Sequence, residues 1–318
     1  MTDYVIETHE LTKFYGELNV VHRLNLKIPQ GGIFGFLGPN GAGKSTTIKM
    51  ITGLIKSSSG TIKIFGQEAR QHRKIFHRIG YLPEHPAAYA GMTAYSFLQY
   101  MGRLHGISKN FIQHRILETL DFVDLGRMAY HDADKLSAGQ KQRLGLAAAL
   151  IHDPDLLILD EPSANLDPLS RFQLFNQLKK MVKESNKEKT VVISSHILPE
   201  VERLADHFAI INQGSLVMEG EIKTLGLQLS NIELLLAVSP AKAIYQALEA
   251  KPYVDEIILL NDSEIRLILK TDQEEQFQIE LPDLLKQQNA KIISLKTAQA
   301  PIERAFLQAL QSKVDMRN

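Results

Sequence analysis

The sequence predicts a large α/β domain followed by a small α+β domain, and three observations carry that expectation. The stretch Gly38-Pro39-Asn40-Gly41-Ala42-Gly43-Lys44-Ser45-Thr46 follows an apolar run at 33–37 and precedes a helix expected over 46–54, a strand–loop–helix unit. Short apolar runs, 33–37 and 156–159 above all, alternate with helical segments, as in an α/β sheet. After about Leu225 the order becomes βαββαβ, that of a split βαβ, ferredoxin-like domain. The expected domains are therefore 1–225 and 226–318.

In chain order, 4–15 reads as a strand and turn closed by Gly16, and 20–28 alternates apolar and polar residues as one half-buried strand does. Pro29-Gln30-Gly31-Gly32 is a turn into the strand at 33–37, whose helix ends near Gly53. A polar loop at 56–60 leads to a strand at 61–65, a basic helical stretch at 70–78 and a strand at 79–83 ended by proline. Helices at 93–104 and 111–122 suggest a helical insert over about 86–135. Core elements resume with a helix at 138–151, a strand at 156–159, a helix at 169–183, a strand at 190–194 and a helix at 198–204. Strands at 207–211 and 215–219 flank the hairpin signal Asn212-Gln213-Gly214. The second domain reads as strand 232–238, helix 241–250, strand 254–260, strand 264–270, helix 273–288 and strand 291–295, with a last helix at 302–310.

Composition narrows the class. The apolar fraction of 44% over 318 residues suits a globular chain with a real core. The 36 basic residues balance 36 acidic ones, which argues against a dedicated nucleic-acid binder. There is no cysteine, hence no disulfide framework and no thiolate metal site, in keeping with a cytoplasmic setting. The start, Met1-Thr2-Asp3-Tyr4, lacks a basic-then-apolar signal. No stretch approaches the ~18 apolar residues of a membrane span, so any membrane role is expected to run through a partner.

The residues at 38–46 satisfy G-x-x-x-x-G-K-[ST]. Glycines at this spacing let successive backbone N–H groups turn inward around phosphates, and the following helix adds the positive end of its dipole. Lys44 can then reach the β- and γ-phosphates, and the Ser45 hydroxyl can ligate Mg²⁺. Asp160 and Glu161 close the apolar strand at 156–159, at a strand end where metal and water ligands belong. Asp160 is placed to hold Mg²⁺, and Glu161, one step on, to orient or deprotonate a water. Leu136-Ser137-Ala138-Gly139-Gln140 opens the helix at 138–151, with Ser137 at its N-cap.

This combination, in this order and spacing, resembles the ATP-binding-cassette (ABC) ATPases, whose signature sequence is Leu-Ser-Gly-Gly-Gln; the resemblance covers about 4–225. It implies a RecA-like P-loop core with an antiparallel β-subdomain and a helical insert. It implies ATP and Mg²⁺ as ligands, and hydrolysis by in-line attack of water on the γ-phosphorus. Under it, Tyr15 matches the aromatic residue that stacks on adenine, with a packed core tyrosine as the alternative. Glu84 stands where the family usually has a Mg²⁺-contacting glutamine, so a negative charge is added there. His196, after the strand at 190–194, matches the switch histidine that contacts the γ-phosphate. Residues 163–167 match the loop that touches the opposite subunit. Ala138 replaces a glycine, which is tolerable only with a negative φ.

The family works as head-to-tail nucleotide-sandwich dimers in which Ser137, Gly139 and Gln140 would face the partner's ATP. With one copy of each motif, a homodimer or a pairing with a related subunit is implied. Residues 80–84 and 140–144 and the C-terminal appendage look most like the ATPases of ABC-2-type exporters. That implies separate membrane-spanning permease subunits and a peripheral place at the cytoplasmic face of the membrane. The alternative is an ABC ATPase acting in translation or on DNA.

Overall fold

A computed structural model describes residues 4–87, 90–185, 188–224, 232–270 and 273–297. The chain divides into two compact units, the first running through Glu221 and the second from Ile222 onward. The helix expected at 302–310 lies outside the described residues.

The first unit is built on a six-stranded sheet. Its strands are β4 (Gly32–Leu37), β7 (Ile79–Leu82), β8 (Leu156–Asp160), β9 (Thr190–Ser195), β10 (His207–Asn212) and β11 (Ser215–Glu221), in the order β11-β10-β4-β9-β8-β7. All neighbours are parallel except the β10–β11 hairpin. β4, β8 and β9 are buried at every position. Strands covered on both faces read as unbroken apolar runs, which is why these three are the plainest in the sequence. Side chains alternate between two cores. Ile33, Leu157, Leu159, Val191 and Ile193 point into one, and Phe34, Phe36, Leu156, Ile158 and Val192 into the other.

The first core is closed by helices α2 (Ala94–Leu104), α3 (Lys109–Phe122), α4 (Ala138–Leu150) and α5 (Pro168–Glu184). Thr93 caps α2 by accepting from the Ser96 N–H at 3.1 Å. The second core lies under α1 (Lys44–Ile51) and an antiparallel sheet. That sheet comprises β1 (Tyr4–Tyr15), β2 (Leu18–Leu24), β3 (Lys27–Pro29), β5 (Ser59–Ile64) and β6 (Gln67–Glu68).

Two local expectations are corrected. The single strand expected over 20–28 is two, β2 and β3, both pairing with β1. Glu10 and Arg23 take left-handed backbone (φ 50 and 43), and the Asn25 side chain accepts the Glu10 N–H at 2.9 Å. β1 bulges there, and its partner must break to follow it. The basic stretch at 70–78 is helical over Arg73–Arg78 alone, as a 3₁₀ turn that buries Ile75. Arg70 to His72, ahead of it, form a turn whose Gln71 and His72 N–H groups donate to the Glu68 carbonyl at 3.1 Å. A further short helix, α6 (Leu198–Leu204), follows β9.

The second unit contains β12 (Ile232–Ser239), α7 (Ala241–Glu249), β13 (Val254–Asn261), β14 (Glu264–Leu269), α8 (Glu274–Gln287) and β15 (Lys291–Thr297). Its sheet runs β13-β14-β12-β15, antiparallel throughout, the strand order of a split βαβ fold. Leu234, Leu236 and Val238 on β12 and Ile265, Leu267 and Leu269 on β14 form one face. That face packs against Ile244 and Leu248 of α7 and Phe277 and Leu281 of α8. No helix among the described residues is long and apolar enough to cross a membrane.

Candidate functional site

The loop between β4 and α1 fixes the geometry. Gly43 sits at φ +101, a conformation that favours glycine, and a Cβ on Gly38 would lie 2.4 Å from the Ile211 carbonyl oxygen. Pro39 to Thr46, with Val20, Glu84 and Glu161, enclose a cavity of about 340 Å³. Lys44 is buried, and its Nζ donates to the Gly38 carbonyl at 2.7 Å and lies 3.3 Å from Glu161 Oε1.

Asp160 and Glu161 are both buried at the end of β8. Ser45 Oγ donates to Asp160 Oδ1 at 3.1 Å. Glu161 takes φ 49, costly for a residue with a Cβ, and its backbone N–H donates to Ser194 Oγ at 2.9 Å. The same Ser194 hydroxyl donates to Asp160 Oδ1 at 2.7 Å, so one side chain on β9 ties down both acidic residues. His196 Nδ1 lies 2.9 Å from Glu161 Oε2. Gln142 of α4, buried, reaches the Glu161 carbonyl from the other side at 3.5 Å.

The fold thus brings together the loop 38–46, Glu84, Asp160, Glu161 and His196. It does not bring Ser137, Gly139 and Gln140 to them. Those three line a separate, larger cavity of about 1080 Å³ with Asn165, Leu166 and Asp167, which shares no lining residue with the first. Ser137 forms a capping box with Gln140: its Oγ accepts the Gln140 N–H at 3.2 Å, and Gln140 Oε1 accepts the Ser137 N–H at 2.9 Å. Ala138 is the first helical residue of α4, which meets the requirement for a negative φ. Tyr15 is 49% exposed at the end of β1, with Lys13 Nζ 4.9 Å from its ring centre, so it is not a packed core residue.

Sequence reasoning passed over Ser194 and Gln142. A hydroxyl near the end of a wholly buried, largely apolar strand is the signal that marks the first. Gln142 carries only the weak signal of an amide on the buried side of a helix.

Ser45 and Asp160 present hard oxygen donors side by side, and Glu84 adds another at the rim. No group of three or more His, Asp or Glu side chains among the described residues forms a metal cage. This donor set fits Mg²⁺, which binds one or two carboxylates together with substrate phosphates.

The ABC transporter family profile matches residues 21–164. The bacitracin transport ATP-binding protein BcrA of Bacillus licheniformis is 46% identical over 216 residues, 68% of this chain and 69% of that protein. An uncharacterised ABC transporter ATP-binding protein of Bacillus subtilis, YxlF, is 39% identical over 260 residues, 82% of this chain and 85% of the relative. The chain belongs to the ABC transporter family. It is an ATP-binding subunit of that family and an ATPase. A solved dimeric cassette, MJ0796 in a post-hydrolysis state bound to ADP and Pi, is similar with a TM-score of 0.64 at 26% identity. The match covers 68% of this chain and 98% of that one.

Proposed function

We propose that this ABC ATPase drives an exporter. It would act at the cytoplasmic face of the membrane through separate membrane-spanning permease subunits, and close on a second cassette when ATP binds. The observation that carries this reading is the division of the nucleotide machinery into two cavities with no shared residue. A chain holding two unlike half-sites suits a head-to-tail pair, in which each ATP meets one chain's phosphate loop and the other's Ser137, Gly139 and Gln140. The exporter direction is supported by the similarity to a bacitracin transport protein.

Each residue then has a task. Backbone N–H groups from Gly38 to Thr46 cradle the phosphates, and Lys44 leaves the Gly38 carbonyl for the β- and γ-phosphate oxygens. Ser45, Asp160 and Glu84 hold Mg²⁺, which when bound neutralises charge building on the phosphates. Glu161 accepts the proton of the attacking water. His196, hydrogen-bonded to Glu161, orients that carboxylate and contacts the γ-phosphate. Tyr15, exposed at its strand end, stacks on the adenine ring. In Glu161→Gln the base is lost and binding is kept, so ATP should accumulate a stable dimer with little turnover. Sedimentation of this variant with ATP tests the reading, and a monomer at saturating nucleotide would overturn it.

A further inference from the structure

Both helices of the second unit lie on one face of its sheet. Leu234, Leu236 and Val238 of β12 and Ile265, Leu267 and Leu269 of β14 point toward α7 and α8, so the residues between them point the other way. The strand registers lay that second face out in rows. Ile258 of β13 stands beside Arg266 of β14, then Leu235 of β12, then Lys296 of β15. One row along, Glu256 stands beside Ile268 and then Glu233. Ile258 is 36% exposed, and Leu235, Ala237 and Ile268 are half-buried, which makes the middle of this face apolar. Charge divides across it. Arg266 and Glu233 pair with each other in the centre, the β13 edge carries Glu256, and the β15 edge carries Lys291 and Lys296. Neither Glu256 nor Lys296 has an ion-pair partner among the described residues.

We propose that this face is a contact between two copies of the chain, packed sheet on sheet about a two-fold axis that runs along the strands. Sheets stack face to face about 10 Å apart with their strands nearly aligned. An axis along the strands lays the β13 edge of one copy over the β15 edge of the other, so Glu256 meets Lys296 twice and the apolar middles cover each other. An axis across the strands would lay acid on acid and lysine on lysine. Edge-to-edge pairing of two β15 strands about Ile293 and Ser294 would set Lys291 opposite Lys296, and like charges directly opposite are unfavourable. The face is small. Four strands at about 4.8 Å spacing, each about six residues long, give roughly 400 Å² per copy. That is below the size of a permanent interface, so the contact is weak and depends on concentration.

The full chain is followed by sedimentation velocity without nucleotide, so that the outcome does not depend on the ATP-driven closure proposed above. It should pass from monomer to dimer as concentration rises, and more readily at low salt. Glu256→Lys alone, or Lys296→Glu alone, brings like charges together twice in each dimer and should weaken association about tenfold. The double reversal should restore it. Both residues are exposed, so thermal midpoints should hold in all three variants. A wild-type chain still monomeric at about 1 mM would overturn the proposal and leave the face to another partner. A dimer indifferent to the single reversals, or a double reversal no better than the singles, would overturn it as well.

Discussion

Glu161 combines a strained backbone, a buried carboxylate beside Lys44 and a bond to His196. Its turnover should be sensitive to change at a neighbour that touches no substrate. Ser194→Ala removes the donor to Asp160 and the acceptor for the Glu161 N–H together. We expect a loss of about 1–3 kcal/mol in stability from the buried groups left unpaired. Hydrolysis should fall at least tenfold with nucleotide binding kept; chemical unfolding and a steady-state assay read both. His152 gives a second test at this scale. Burial, then the nearby His105, lower it from 6.5 to about 4, and the His105 ring stacks on it at 3.8 Å. The unfolded chain therefore takes up a proton that the folded chain refuses. Stability is fully present above about pH 6.5 and is lost as pH falls toward 4, a contribution on the order of 2 kcal/mol. Thermal midpoints across that range should drop in the wild type and flatten in His152→Leu.

Helix α4 has a capping box at its first turn, and the role proposed for Ser137 across a dimer can be separated from it. Ser137→Ala removes a capping box and should cost about 1 kcal/mol of stability. Ser137→Arg, if the serine acts across a dimer, should spare ATP binding to the single chain and abolish hydrolysis. Mixing it with Lys44→Ala should restore part of the activity through the undamaged composite site; a normal rate for Ser137→Arg alone would reject the role in trans. Although its reciprocal bond with Gln140 emerges in the structure, the N-cap at Ser137 was legible because a serine ahead of a helical run is a local signal. So were β4, β8 and β9, whose burial on both faces writes itself into consecutive residues. The break between β2 and β3 was not. Periodicity runs through Arg23 to Leu26 undisturbed, and the cause lies in the bulge of β1 at Glu10, a distant partner. Ser194 escaped in part for the same reason: a hydroxyl in a buried strand flags the residue, but its partners lie on the adjacent strand, which one strand's sequence cannot state.

At the scale of the whole chain, every motif residue lies in the first unit. A chain ended after Glu221 should bind ATP with wild-type affinity, measured by calorimetry; a folded truncation that fails to bind would give the second unit a part in the site. Apart from Tyr15 on β1, the residues that would touch nucleotide hang from the ends of neighbouring strands, β4, β7, β8 and β9, of one sheet filled on both faces. Apart from Val20, Pro39 and Ala42, the phosphate cavity is lined by glycines, hydroxyls, an amide and charges. Filling it hides little apolar surface, and heat capacity tracks apolar surface. ADP entering a single chain should therefore bind with a small heat-capacity change, confined to the contact of adenine with Tyr15. The closing of two chains around ATP should carry a strongly negative one, so that temperature alone tells the two events apart.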